Sequence, residues 1–307
     1  MKNTQHVYDL IIVGAGPAGI TAAVYAARKK MDFLILTMDV GGQVTYSSTI
    51  ENYIGFQYIT GEELTTKFYN HLKQYDFDLK MEKVEKIEVS NSLFKVKTAL
   101  GNEYFSKTII VATGRRPREL NVPGEEKFKS RGVTYCATCD APLFEGMDVA
   151  IVGGGNAGLE ATLQLTKIAN KIYLIEISPQ LKADPIMVEK ALASDKVEVW
   201  TNTRVLEIIG EKTVNGIRVQ KNGQEKVLPV QGVFIEIGSV PNSEIIDFVE
   251  KNQRNEIIVN CACETSYQGV FAAGDVTNVP EKQIIIAAGE GCKAVLSAFK
   301  YLSRKKI

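Results

Sequence analysis

An α/β fold in two parts is what this sequence predicts, and three observations carry the prediction. A buried apolar strand runs into a glycine turn and then a helix at YDLIIVGAGPAGITAAVYAARKK (8–30). The same plan returns in the middle of the chain at DVAIVGGGNAGLEATLQLTKIANKIYLIE (148–176). The 307 residues suffice for about two domains. One Gly-x-Gly-x-x-Gly is a weak signal, because such a turn can simply join a strand to a helix. Two of them, each between strand and helix, predict two Rossmann-like dinucleotide-binding domains.

In the first unit residues 10–13 are the strand, and Gly14, Gly16 and Gly19 make the turn around Pro17 and Ala18. The alanine-rich helix ends at basic residues, which suit its negative pole. The second unit repeats this with Gly153, Gly155 and Gly158, Asn156 and Ala157 opening the helix. The first glycine of each motif permits the tight turn, the second lets backbone approach a pyrophosphate, and the third lets helix pack on strand. The phosphate then meets free N–H groups at the helix start.

Bulk properties narrow the function classes. Lys plus Arg and Asp plus Glu balance at 36 each, so no overall field draws the chain to nucleic acid or an anionic membrane. The start, MKNTQHVYDLIIVGAG, lacks the continuous apolar core of a signal peptide, and no apolar run approaches the ~20 residues of a membrane span. A cytoplasmic protein is expected. Five cysteines in a large chain argue against a secreted disulfide framework, so a CxxC reads as catalytic or metal-binding.

That CxxC is TYCATCDAP (134–142), with Cys136, Cys139 and Asp140. Asp140 by itself reads as a cap for the following turn. Cys261 and Cys263 could supply the second half of a zinc site, but the alternation over 257–263 predicts a strand with both on one face, and the spacing does not suit a zinc ribbon. Cys292, in the last helix, reads as a packing residue, and His71 as a solvated or half-buried position of an amphipathic helix. TSYQGVFAAGDVTN (265–278) ends a strand at Gly274-Asp275, where Asp275 by itself reads as an ordinary helix N-cap. Glu176 follows Gly158 at the end of the next strand, where a carboxylate accepts from a ribose 2′-OH and repels a 2′-phosphate; the alternative is an exposed strand end.

GGQVT (41–45), IENYIGF (50–56), IIVATG (109–114), SRGVTYCATCDAPLF (130–144), GVFAAGDVT and QIIIAAGEGCKA (283–294) together resemble the low-molecular-weight thioredoxin reductase family, over essentially the whole chain. The CxxC lies a short distance ahead of Gly153, as in that family; in larger disulfide reductases it sits near the first domain's helix. The resemblance implies a three-layer FAD/NAD(P)-binding architecture. It places FAD at Gly14, Gly16, Pro17, Ala18, Gly19, Thr37, Gly42, Gln43, Asn52, Val84, Ala112, Gly114, Asp275, Gln283 and Ile284. It places NAD(H) at Gly153, Gly155, Asn156, Ala157, Gly158, Glu176 and Lys182. It makes Cys136 and Cys139 the redox disulfide, Cys139 facing the flavin and Cys136 attacking the partner, with Asp140 moving the proton.

The implied domains are 1–116 with 247–307 for FAD, and 117–246 for NAD(H) and the CxxC. Rotation through connections near 115–119 and 241–245, and a homodimer, are further implications of the family. The basic motif with which NADPH-using members grip the 2′-phosphate is replaced by IEISPQLK (175–182), so NADH is expected over NADPH. IEISPQLKAD also resembles the flavoprotein subunit of alkyl hydroperoxide reductase, which carries an additional N-terminal thioredoxin-like module; here a separate thiol protein is expected to carry the electrons. Thr37 stands where the generic rule expects an acid, a departure shared with the thioredoxin reductase group. The expected acceptor is thioredoxin or a glutaredoxin-like protein, which could in turn feed a peroxiredoxin. The alternatives are a flavoprotein reduced by another donor such as ferredoxin, and an electron carrier whose CxxC is regulatory.

Overall fold

The first strand, β1 (Val7–Ala15), is an apolar run whose Leu10, Ile11 and Ile12 are wholly buried, the pattern of a parallel-sheet strand covered on both faces. It leads into α1 (Pro17–Arg28), β2 (Phe33–Val40), α2 (Gly61–Leu72), β3 (Asp78–Met81), β4 (Val84–Ser90), β5 (Leu93–Thr98), β6 (Glu103–Val111) and β7 (Arg115–Pro117). The middle of the chain supplies β8 (Val133–Thr134), α3 (Ala137–Asp140), β9 (Asp148–Val152), α4 (Asn156–Leu165), β10 (Lys171–Ile175), α5 (Pro185–Leu192), β11 (Val197–Trp200), β12 (Thr203–Gly210), β13 (Val214–Lys221), β14 (Gln224–Leu228) and β15 (Gly232–Ile235). The last elements are β16 (Ser239–Pro241), β17 (Val270–Ala272) and α6 (Ile284–Lys305). This computed structural model describes residues 6–46, 50 and 52–305, the side chains of Tyr46, Thr138, Cys139 and Lys305 excepted.

Two units result: Met1–Arg116 with Val240–Ile307, and Pro117–Ser239. Both boundaries fall within the two-stranded ribbon that β7 and β16 form. The chain re-enters the first unit at Val240 rather than at 247, the boundary the resemblance implies. The reason is packing: Ile245, Ile246 and Val249 already lie in the core with Ile87 and Val111, and Ile87 N–H donates to Ile245 O at 2.7 Å.

In the first unit the sheet runs β3-β2-β1-β6-β5-β4, with β17 also on β6. β6 is divided along its length: Lys97↔Glu103 to Phe94↔Ser106 pair antiparallel with β5, and Ile109 to Val111 pair parallel with β17. Alanines let α1 and α6 approach closely, burying Ala18, Ala22, Ala294 and Ala298. A Cβ on Gly291 would lie 2.0 Å from the backbone oxygen of Ala18, so only glycine fits that crossing.

The second unit has an all-parallel sheet, β11-β10-β9-β15-β8, and an antiparallel meander, β12-β13-β14. Its strand order reverses between β9 and β15, the place where open parallel sheets bind ligands beyond their carboxyl ends. With the helices packed on these sheets, the chain has the three-layer α/β architecture. No helix among the described residues is long and apolar enough to cross a membrane.

Candidate active site

Both glycine turns divide their labour in the same way. Gly14 and Gly153 take φ of 104° and 124°, and a Cβ there would lie 2.3 Å from Ala112 O and 2.2 Å from Glu236 O. Gly19 and Gly158 let helix meet strand: a Cβ would lie 1.9 Å from Gly14 O and 1.8 Å from Gly153 O. The middle glycines face open space, Gly16 with nothing nearer than Gly41 O at 3.9 Å and Gly155 with nothing within 4 Å. α1 and α4 begin there with no side-chain cap, whereas Thr60 caps α2 and Asp184 caps α5. Uncapped N–H groups beside open space are what a phosphate requires, so both turns fit a dinucleotide.

Around the first turn, Pro17 and Ala18 open α1, and Thr37 is buried with its hydroxyl donating to Asp39 O. The Asp39 carboxylate accepts Gly42 N–H at 2.9 Å, so that acid is committed to the loop. Gln43 donates to Arg115 O, and Asn52 Nδ2 donates to Gln283 Oε1 at 3.2 Å, joining two positions far apart in the chain. Ala112 N–H donates to Val13 O, Gly114 turns at φ 64°, and Ile284 opens α6. Val84 is buried in the sheet core with Ile87 and Val111. The hydroxyl of Thr45 is buried without a protein partner among the described residues, an orphan within GGQVT that a bound group would satisfy.

Asp275 lies just after β17, well ahead of Ile284, and so does not cap α6. Burial raises its pKa, with Lys282 and Arg115 opposing. Two carboxylates absent from the sequence expectation fix this region. Glu290, buried on α6, accepts Gly274 N–H at 2.8 Å. Glu256 binds Arg115 at 2.7 Å and Lys282 at 3.4 Å.

In the second unit Glu176 follows β10 and is 9% exposed, not an exposed strand end. Its carboxylate accepts Gly154 N–H and Ser178 N–H, each at 2.7 Å. Burial disfavours its charge, but the bonds from Ser178 and Gly154, with Lys182 nearby, hold the pKa below the ordinary value. Lys182 donates its own N–H to Gly154 O at 2.7 Å. Asn156 Oδ1 accepts Asp184 N–H at 2.9 Å, and Ala157 is an exposed position of the first turn of α4.

Cys136 is disulfide-bonded. The side chain of Cys139, its expected partner, lies outside the described residues. Cys136 N–H donates to Thr134 Oγ1 at 3.2 Å, and the Thr134 hydroxyl donates to Asp140 Oδ2. Asp140 does not cap the turn after it; its side chain points back to the start of the loop. Tyr135 is tied by its hydroxyl to Glu125 at 2.8 Å, and Glu125 also accepts the N–H groups of Leu120, Asn121 and Val122. Glu236, just after β15, accepts Ala137 N–H; burial pushes its pKa up to about 7, that bond opposing and Glu160 adding.

The expected strand over 257–263 is instead a turn. Asn260 Oδ1 accepts the N–H groups of Ala262 and Glu264, and Cys263 takes φ 61°. Cys261 is therefore exposed while Cys263 is buried, so the two do not share a face. Cys292 is a partly buried free thiol on α6, and His71 is exposed.

Comparison with known proteins agrees with this geometry. Residues 8–291 match the family model described as pyridine nucleotide-disulphide oxidoreductase. The chain is 43% identical over 301 residues to a Bacillus subtilis (strain 168) protein named NADH dehydrogenase, covering 97% of this chain and 59% of that one. It is 41% identical over 312 residues to an alkyl hydroperoxide reductase subunit of Escherichia coli (strain K12), covering 99% and 60%. The chain thus spans about 60% of the length of these curated relatives. The crystal structure of Lactococcus lactis thioredoxin reductase superposes with a TM-score of 0.84 at 33% identity, covering 97% of this chain and 99% of that one. The chain belongs to the pyridine nucleotide-disulphide oxidoreductase family, whose members are FAD-dependent and work with a pyridine nucleotide, and its fold is that of the thioredoxin reductases.

Proposed function

We propose that the chain is an NADH-dependent disulfide reductase, taking electrons in at the second glycine turn and sending them out through Cys136 and Cys139. The observation that carries this reading is the disulfide at Cys136, held in a loop of the same unit as the second glycine turn. FAD, in the first glycine cradle, supplies the chemistry that accepts a hydride from a nicotinamide and delivers an electron pair to a disulfide.

The residues of the chain bind, orient and move protons. The open N–H groups of α1 and α4 receive the two pyrophosphates. Glu176, kept ionised at the end of β10, accepts from ribose hydroxyls and sets a fixed negative charge against a 2′-phosphate, which supports NADH as the donor. After reduction of the pair, the Cys136 thiolate attacks a disulfide sulfur of the acceptor and forms a mixed disulfide. Cys139 attacks Cys136, restoring the internal disulfide and releasing the acceptor as a dithiol. Asp140, hydrogen-bonded through Thr134 to the Cys136 backbone, is the nearby carboxylate for proton transfer.

The acceptor we infer is a thioredoxin or a glutaredoxin-like protein, with a peroxiredoxin downstream, a reading supported by the likeness to the alkyl hydroperoxide reductase subunit. The expected setting is a cytoplasmic homodimer whose middle domain rotates to present cysteine pair and nicotinamide to one flavin in turn. Anaerobic titration of the purified protein with NADH and NADPH tests the donor. NADH is expected to bleach the flavin absorbance at near-stoichiometric amounts and NADPH only in large excess. Bleaching by neither sinks the pyridine-nucleotide reading and points to a donor such as ferredoxin.

A further inference from the structure

Glu236 stands where the strand order of the second sheet reverses, directly after β15 and beside the end of β9. Its backbone belongs to the second glycine turn: Glu236 N–H donates to Val152 O at 2.8 Å, and its own carbonyl oxygen is the atom that a Cβ on Gly153 would strike. Its side chain belongs to the redox loop, where the carboxyl accepts the N–H of Ala137, the residue that follows Cys136. One residue therefore touches both the nucleotide turn and the cysteine loop, and the mechanism above makes no use of it.

Among the described residues no cation faces its charge. From α4 it faces another carboxylate, Glu160. On α3, Asp140 is engaged by Thr134, and the helix carries the second cysteine of the pair. On β9, Asp148 lies at the far end of the strand and accepts from Asn170. β8 carries no charged residue, and on β13 Arg218 pairs with Glu207 and Glu225 while Lys221 stacks over Trp200. Burial in this setting pushes the Glu236 pKa up to about 7.

We propose that Glu236 is a titrating positioning residue of the redox loop: as a carboxylate it fixes the peptide after Cys136 and disfavours negative charge on the Cys136 sulfur, and as a neutral acid it does neither strongly. A charge-assisted hydrogen bond is roughly twice as strong as a neutral one, and a nearby like charge raises the pKa of a thiol. The chain then loosens and activates the loop on the acid side of neutrality and tightens it on the alkaline side. The inference rests on Cys136 being the reactive cysteine of the proposed function.

The test is the rate at which iodoacetamide alkylates Cys136 in the full, flavin-containing chain after reduction with dithiothreitol, read by mass spectrometry of the Cys136 peptide from pH 5.5 to 9. Glu236→Gln keeps an oxygen for Ala137 N–H and removes the charge. Its rate should match wild type within twofold at pH 5.5 and exceed it at least threefold at pH 7.5. A wild-type to variant ratio that does not change with pH overturns the proposal, because a purely structural role acts at every pH. Should the variant not fold, the wild-type Ala137 amide resonance decides: a midpoint near neutral pH supports the proposal, and an amide shift invariant from pH 5 to 8.5 refutes it. Cys136→Ser reports on the reductase reading separately. If that variant still reduced an acceptor disulfide, the proposed function would fall, while the amide titration would still report whether Glu236 ionises against Ala137.

Discussion

Alanine at Gly155 and at Gly158 should disable the second glycine turn for different reasons. A Cβ on Gly158 would lie 1.8 Å from the Gly153 carbonyl oxygen, and real Cβ contacts under 3.0 Å essentially never occur, so turn and helix must part by at least the difference. Both atoms belong to the backbone, so no rotamer change relieves the clash, and the cost is at the upper end of overpacking penalties, about 3 kcal/mol. At Gly155 the φ of −89° suits any L residue and a Cβ meets nothing within 4 Å. Stability there should change by no more than about 0.5 kcal/mol. The added methyl instead occupies the space a pyrophosphate needs. Calorimetry and anaerobic NADH titration separate the two variants. Gly155→Ala should melt like wild type yet need at least about tenfold more NADH for half-bleaching, a loss of about 1.4 kcal/mol. Gly158→Ala should lose NADH response and melt earlier. NADH affinity within twofold of wild type in Gly155→Ala would refute the phosphate placement, and unchanged melting of Gly158→Ala would refute the packing argument.

Three further outcomes are expected. Glu176→Ala leaves the buried N–H of Gly154 and the part-buried N–H of Ser178 without their acceptor, which should cost about 1–3 kcal/mol for Gly154 and less for Ser178 in urea unfolding and narrow the preference for NADH over NADPH in the flavin titration. Cys136→Ser should abolish reduction of a thioredoxin-type disulfide while NADH still bleaches the flavin; turnover at the wild-type rate would show that electrons leave by another route. Glu236 is held above its ordinary pKa, at about 7, so its neutral form is the one the fold favours. Its contribution to stability is complete below about pH 4.5 and is lost as pH rises through about 7. Urea midpoints at pH 5 and pH 8 should therefore differ less in Glu236→Gln than in wild type.

The strand–turn–helix units were legible because each glycine acts through atoms a few residues away, and spacing alone encodes the tight bend, the open middle and the close crossing. Glu176 was legible for a similar reason, since its distance from Gly158 places it at the end of the next strand. The segment 257–263 misled because alternation records only which residues face inward. Asn260 took the N–H groups of Ala262 and Glu264 for its own side chain, and the chain turned rather than extended. The return boundary at Val240 was set by Ile245 and Ile246 packing beside Ile87, a contact between segments on opposite sides of the inserted unit that no local pattern announces. The carboxylates that hold the site were hidden for the same reason. Glu125, Glu236, Glu256 and Glu290 look like ordinary charged residues until folding aims backbone N–H groups or distant cations at them.

The divided strand β6 has a bearing on how the protein is made. Its second half waits for β17, whose first residue, Val270, leaves the ribosome long after Val111, and the whole segment Pro117–Ser239 emerges in between. That segment is continuous and holds its own parallel sheet and core, so it can mature while its host is still one strand short. Until Val270–Ala272 arrives, β6 keeps an unpaired apolar edge, the kind of surface on which nascent chains stick to one another. Synthesis order thus lets the guest fold first and leaves the stretch from β17 through α6 to close the host.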